Sequence, residues 1–162
     1  MKIAVGCDPN AKEAKEEIIK YIEAKGYGEV TDFGSEDPIY ANVAIRVGEA
    51  VASKEYDRGI LICGTRIGVS IAANKVKGAY AALLSDVYSA QRARLSNDAN
   101  IACMGAFTTG CKVIPQTDIG RLVGSYDGLP IVGKGGLTGN DRTACDIVDR
   151  LFREAARKQM TG

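Results

Sequence analysis

The chain has 162 residues, 46% of them hydrophobic and 25% charged, the balance of one globular domain with enough apolar material for a core. Its 21 basic and 20 acidic residues leave a net charge of +1, which argues against a nucleic-acid partner, because phosphate-backbone affinity needs a clustered positive excess. Histidine is absent, so imidazole-based catalysis and His-ligated zinc are excluded within this chain.

Short apolar runs alternate with amphipathic stretches from the first residue onward. Lys2 to Cys7 reads as a buried strand ended by Asp8-Pro9-Asn10. Ala11 to Lys25 reads as a helix with Ile18, Ile19 and Ile22 as its apolar stripe, Gly26 as its stop, and its charges (Lys12, Glu13, Lys15, Glu16, Glu17, Lys20) as a solvated face. Glu29 to Phe33 is a weak second strand, and Tyr40 to Ser53 a second helix. Gly59 to Cys63 is hydrophobic throughout, as a strand covered on both faces of a parallel sheet should be. The turn Gly64-Thr65-Arg66-Ile67-Gly68 leads into a helix over Val69 to Lys75. Ala79 to Leu84 is strand four, Val87 to Ser96 a helix and Asn100 to Met104 strand five. A helix is expected from Pro115 to Val123, a Gly-rich loop or flap from Ser125 to Asn140, and a closing helix from Asp141 to Lys158. The pattern specifies an α/β fold: an open, doubly wound parallel sheet of five strands.

Five cysteines, at 7, 63, 103, 111 and 145, form no C-x-x-C pair and read as reduced thiols, with structural zinc not expected. Tryptophan is absent, which weakens a base-stacking role. No apolar run approaches the roughly 20 residues of a membrane helix. The amino terminus runs straight into a strand without a signal-peptide pattern. The expected location is the cytoplasm, with no membrane partner.

In such sheets ligands sit beyond the carboxyl ends of the strands at a switch point. Two strand ends carry suitable groups, Cys7-Asp8 and Cys63-Gly64-Thr65. Cys63 before a turn that opens a helix is placed to form a thiolate base or nucleophile, or is simply one of the buried thiols common in cores. The turn from Gly64 to Ser70 either cradles an oxyanion with successive N–H groups or is only a tight connection; it matches neither a P-loop nor G-x-G-x-x-G. Asp8 orients a substrate hydroxyl or caps the following helix. Ser96-Asn97-Asp98-Ala99-Asn100 has the polar side chains of a cap or turn.

The stretches Gly6-Cys7-Asp8, Asp57 to Thr65, Ile71-Ala72-Ala73-Asn74-Lys75-Val76 and Tyr88-Ser89-Ala90 resemble the family of type B ribose-5-phosphate isomerases and galactose-6-phosphate isomerase subunits. The resemblance runs from Met1 to about Gly110. It implies a Rossmann-like three-layer α/β/α sandwich and a homodimer or dimer of dimers, its C-terminal helix packing on a partner subunit. It also implies aldose–ketose isomerisation of a phosphorylated sugar without metal or cofactor. By position, Cys63 matches the base that moves a proton between C1 and C2. Thr65, with the Gly64, Arg66, Ile67, Gly68 and Ser70 turn, matches the groups that hold the enediolate, and Asp8 a contact to the reacting end.

The departures are informative. Ser96, before Asn97, stands where relatives acting on ribose 5-phosphate carry the His thought to open the sugar ring. Pro9 replaces a second His, Arg66 the middle glycine of a G-T-G turn, and Phe107 an Arg that often reaches the phosphate. The C-terminal phosphate clamp is not recognisable in Gly135-Gly136-Leu137-Thr138. A tetrose phosphate cannot close the usual furanose ring and needs no ring-opening acid. Tyr40-Ala41-Asn42 and Arg92 to Asn97 also resemble the D-erythrulose-4-phosphate isomerase branch. Arg66, Lys134, Arg142 and Arg150 are candidate phosphate ligands. Ribose-5-phosphate isomerisation is the second reading. A non-catalytic subunit in a heteromer with a related chain, or a sensing module on a flavodoxin-like scaffold, is the reading from another class.

Overall fold

The computed structural model describes residues 1–109, 147–149 and 151–152. Five strands, β1 (Lys2–Cys7), β2 (Glu29–Asp32), β3 (Arg58–Cys63), β4 (Ala81–Leu83) and β5 (Ile101–Gly105), alternate with four helices. These are α1 (Lys12–Lys25), α2 (Tyr40–Ala52), α3 (Ile67–Ala73) and α4 (Val87–Asn97), and residues 147–149 and 151–152 are helical too. All pairings are parallel, in the order β2-β1-β3-β5-β4. The last two strands are therefore exchanged relative to the flavodoxin order of the sensing-module reading.

The order decides which helix covers which face. Connections that step leftward along this sheet, β1 to β2 and β4 to β5, carry α1 and α4; those that step rightward carry α2 and α3. Right-handed crossovers must then put the two pairs on opposite faces, and the core divides that way. Ile18 and Ile22 of α1 pack with Ala90 and Ala93 of α4, and with Ile147, Val148, Leu151 and Phe152. Val47 and Val51 of α2 pack with Val69 and Ala73 of α3 on the other side. The strands supply both layers by alternation: Val5, Cys7, Ile60, Ile62 and Met104 face α1 and α4, whereas Ala4, Leu61, Cys63, Ile101 and Cys103 face α2 and α3.

Element boundaries fall close to the sequence expectations, with local differences. The first helix is preceded by a 3-10 turn at Pro9–Ala11, which Asp8 caps by accepting the Asn10 N–H at 3.0 Å. Gly26 ends α1 in the left-handed region at φ 65°, as expected of a stop glycine. Strand four is three residues long rather than six, because Tyr80 N–H is taken by the Asn100 side chain (2.8 Å) instead of a ladder partner. The expected helix at Pro115–Val123 and loop at Ser125–Asn140 lie outside the described residues.

One expectation on α1 is overturned. Lys15 is not part of a solvated face: it is 3% exposed and its Nζ binds both oxygens of Asp32 at 2.6 and 2.7 Å. Its position brings it over β1 toward β2, and the half-exposed Asp32 carboxylate at the end of β2 supplies the charge it needs. Breaking a buried pair by deleting one partner costs more than replacing the buried ion by an apolar chain. Asp32→Ala should therefore lose about 2–3 kcal/mol in urea unfolding, and Lys15→Met clearly less.

Candidate active site

The carboxyl ends of β1 and β3 are neighbours, and the chain leaves them toward opposite faces. The backbone joins them directly, since Asp8 N–H donates to Ile62 O at 3.2 Å. Cys63 ends β3 on the α2/α3 side and is 5% exposed. The chain turns into α3 within three residues, and Arg66 takes a left-handed conformation (φ 65°) to do so. That conformation costs a side-chain-bearing residue about 1–2 kcal/mol. In the same turn the Arg66 N–H donates to Cys63 Sγ at 3.1 Å. A backbone donor thus points at the sulfur at the rim of the crevice.

The end of β5 closes the other side of the crevice. Ala106 N–H donates to Cys63 O (2.8 Å) and Phe107 N–H to Gly64 O (3.1 Å). Thr109, buried, accepts the Gly105 N–H on its Oγ1 at 2.9 Å. Gly105 has to be glycine: a Cβ there would lie 3.0 Å from Gly64 O and 3.1 Å from the Thr65 carbonyl carbon. Across this seam the Arg66 guanidinium donates to Thr108 Oγ1, and its buried Nε has no partner among the described residues. On the outer side the Tyr40 ring lies against Gly68, where a Cβ would come within 2.6 Å of the ring.

The expected residues divide into two groups. Asp8, Pro9, Cys63, Gly64, Thr65, Arg66, Ile67 and Gly68 lie at adjoining strand ends. Thr65 is exposed and its hydroxyl has no partner among the described residues. Asp8 is 7% exposed; one carboxylate oxygen caps Asn10 and the other accepts no hydrogen bond among the described residues, so both readings of this residue stand together. Ser70 is committed to α3, its hydroxyl donating to Ile67 O (3.0 Å) and its N–H to Arg66 O (3.3 Å). Ser96 and Asn97 form the second group. They end α4, which returns from the carboxyl edge of the sheet to the amino end of β5, so they sit at the opposite edge from Cys63. Ser96 Oγ there accepts from Arg92 of the same helix. Lys134, Arg142 and Arg150 lie outside the described residues, as do Cys111 and Cys145.

Cys7 and Cys103 are not alternatives to Cys63. Both are fully buried. Burial pushes the Cys7 thiol up to about 12. It pushes Cys103 up as well, and the neighbouring Cys63 adds to that shift. Sequence reasoning missed Thr108 and Thr109. The linear sequence held no signal for them, because only the pairing of β3 with β5 puts the end of β5 on the rim of the crevice. Among the described residues no group of three or more Cys, Asp or Glu side chains is placed to hold a metal ion. No helix among them is long and apolar enough to cross a membrane.

The sequence and the fold match known proteins. Residues 3–117 match the Ribose/Galactose Isomerase family. The chain belongs to that family. It is 50% identical over 113 residues to ribose-5-P isomerase B of Listeria innocua, covering 68% of this chain and 76% of the relative. It is 45% identical over 132 residues to D-erythrulose-4-phosphate isomerase of Pectobacterium atrosepticum, covering 79% and 86%. The solved structure of Clostridium thermocellum ribose-5-phosphate isomerase B superposes with a TM-score of 0.72 at 34% identity, covering 100% of this chain and 95% of that one. This member of the isomerase family thus has a cysteine at the end of β3, on the border of its crevice. Native alkylation with iodoacetamide at pH 8, mapped by peptide mass, should modify Cys63 and leave Cys7 and Cys103 intact.

Proposed function

We propose that this isomerase interconverts the ketose and aldose forms of a short phosphorylated sugar, D-erythrulose 4-phosphate and D-erythrose 4-phosphate. The observation that carries the chemistry is the Arg66 N–H on Cys63 Sγ, which holds a base at the rim of a crevice with free donors beside it. The Cys63 thiolate takes a proton from C1 of the ketose. The electron pair passes into the C1–C2 bond and onto O2, forming an enediolate. Return of the proton to C2, with transfer of the O1 proton to O2, completes the aldose. The Thr65 hydroxyl and the Ile67 and Gly68 N–H groups, which have no intrahelical acceptor in the first turn of α3, are the donors for the enediolate oxygens. Asp8 meets the reacting end.

The length of the substrate is read from the departures. Ser96 replaces a ring-opening His, and a four-carbon sugar with phosphate on its terminal oxygen has no ring to open. Arg66 supplies a cation where the family turn has glycine, and it bears backbone strain to do so. The guanidinium, steadied by Thr108, is the phosphate ligand in this reading. A specific observation favours ribose 5-phosphate as the second reading, namely the 50% identity with a ribose-5-P isomerase. A silent subunit is disfavoured by the intact Cys63 and Thr65 site.

The active form in this proposal is a homodimer. Ser96 and Asn97 reach a Cys63 crevice only from a second copy, because they occupy the far edge of their own sheet. The crevice is also bordered by exposed apolar side chains, Ile67 (52%), Ile71 (57%) and Phe107 (57%), of the kind a subunit contact covers.

Turnover of D-erythrulose 4-phosphate and D-ribose 5-phosphate should be compared on one preparation. A higher kcat/KM for the tetrulose phosphate is expected; a higher value for the pentose would establish the second reading instead. Arg66→Gly keeps the N–H on sulfur and removes only the side chain. It should raise KM about 10- to 100-fold, the worth of a charged hydrogen bond, with a smaller change in kcat; an unchanged KM removes Arg66 from the phosphate.

A further inference from the structure

A second polar cavity lies at the amino-terminal edge of the sheet. It has a volume of about 430 Å³, within the range of small-molecule sites. Its walls come from the residue after α2 that turns the chain (Lys54), the start of β3 (Asp57, Arg58), the approach to β4 (Gly78, Tyr80) and the end of α4 (Arg94, Asp98). The full length of β3, roughly 16 Å, separates Arg58 from Cys63. Within one subunit the cavity is therefore separate from the Cys63 crevice.

Its chemistry is an excess of donors. Arg58 forms one bond, from Nη1 to the Asp57 carbonyl, and no ion pair among the described residues. Arg94 pairs with Asp98 and donates to Ala99 O at 3.3 Å. The Nε of each arginine is buried without a partner among the described residues. Lys54 is exposed and forms no ion pair there either. Nearby acceptors are already taken. Ala50 O accepts from Tyr56 N and Ser53 Oγ, Val51 O from Lys54 N, and Gly78 O from the Asn100 side chain. Asp57 accepts the Lys2 N–H at 2.8 Å. Burial, and after it the like charge of Arg94, lowers the pKa of Arg58 against the opposing charges of Asp57 and Asp98.

We propose that this cavity binds the phosphate group of a small phosphorylated metabolite, held by Arg58, Arg94 and Lys54. A phosphate offers the acceptor-rich, doubly charged partner that a fork of guanidinium donors fits. Tyr56 and Tyr80 on the rim leave a face for the organic part. The inference does not depend on which sugar the Cys63 crevice turns over.

The test is an NMR titration of the full chain with inorganic phosphate and, separately, with AMP, following the arginine Nε–H and backbone signals. Saturable shifts of Arg58 and Arg94 Nε–H are expected, separable from those of Gly64 to Gly68. Lys54→Gln, an exposed change that leaves the fold intact, and Arg58→Gln should each weaken the effect about tenfold. Both should leave the Gly64 to Gly68 response and the isomerase turnover unchanged. Tighter binding of AMP identifies an organic phosphate as the ligand class, and equal binding identifies free phosphate. Shifts confined to Gly64–Gly68, shifts reproduced by chloride at equal ionic strength, or binding unaltered by both substitutions would overturn the proposal.

Discussion

The active crevice depends on one contact, the Arg66 amide on the Cys63 sulfur. It forms because a strand buried on both faces ends at Cys63 and the chain has only three residues in which to enter α3. A left-handed residue at position 66 completes that reversal and returns its N–H to the side chain three positions back. The sheet order then fixes the surroundings. Placing β5 between β3 and β4 brings the Gly105–Thr109 turn against Gly64, so the floor of the crevice is held by backbone hydrogen bonds rather than by mobile side chains.

The same geometry separates the cysteines by role. Alternation along the strands sends Cys7 to the α1/α4 core and Cys63 to the α2/α3 side. Cys103 lies on the Cys63 side but two positions before the end of its strand, where burial holds it as a thiol. Only at a strand terminus does a thiol meet both a backbone donor and an open crevice. Arg66 adds a cation to that terminus at the expense of backbone strain that glycine would not carry.

Much of the fold was legible because the strands are short, apolar and punctuated. Gly59 to Cys63 and Val87 to Ser96 fall within a residue of the observed β3 and α4. Strand four was less legible, because a side chain, Asn100, replaces the ladder partner at Tyr80. Lys15 was misread because helical periodicity places it beside charged neighbours and gives no sign that Asp32, seventeen positions later, lies against it. The Cys63 turn was legible from composition at a strand end. The contribution of Thr108 was not, because it depends on β5 rather than β4 lying next to β3. The separation of Ser96 and Asn97 from Cys63 follows from topology, which a linear motif does not display.

In the proposed reaction Cys63 is the group that moves the proton. Isomerisation in deuterium oxide, followed by proton NMR at C1 of the ketose phosphate, reads that step directly. The wild-type protein should exchange the C1 proton for deuterium during turnover, and Cys63→Ala, folded as judged by circular dichroism, should lose the exchange with the isomerisation. Exchange at the wild-type rate in Cys63→Ala would contradict the account and assign the base to another group.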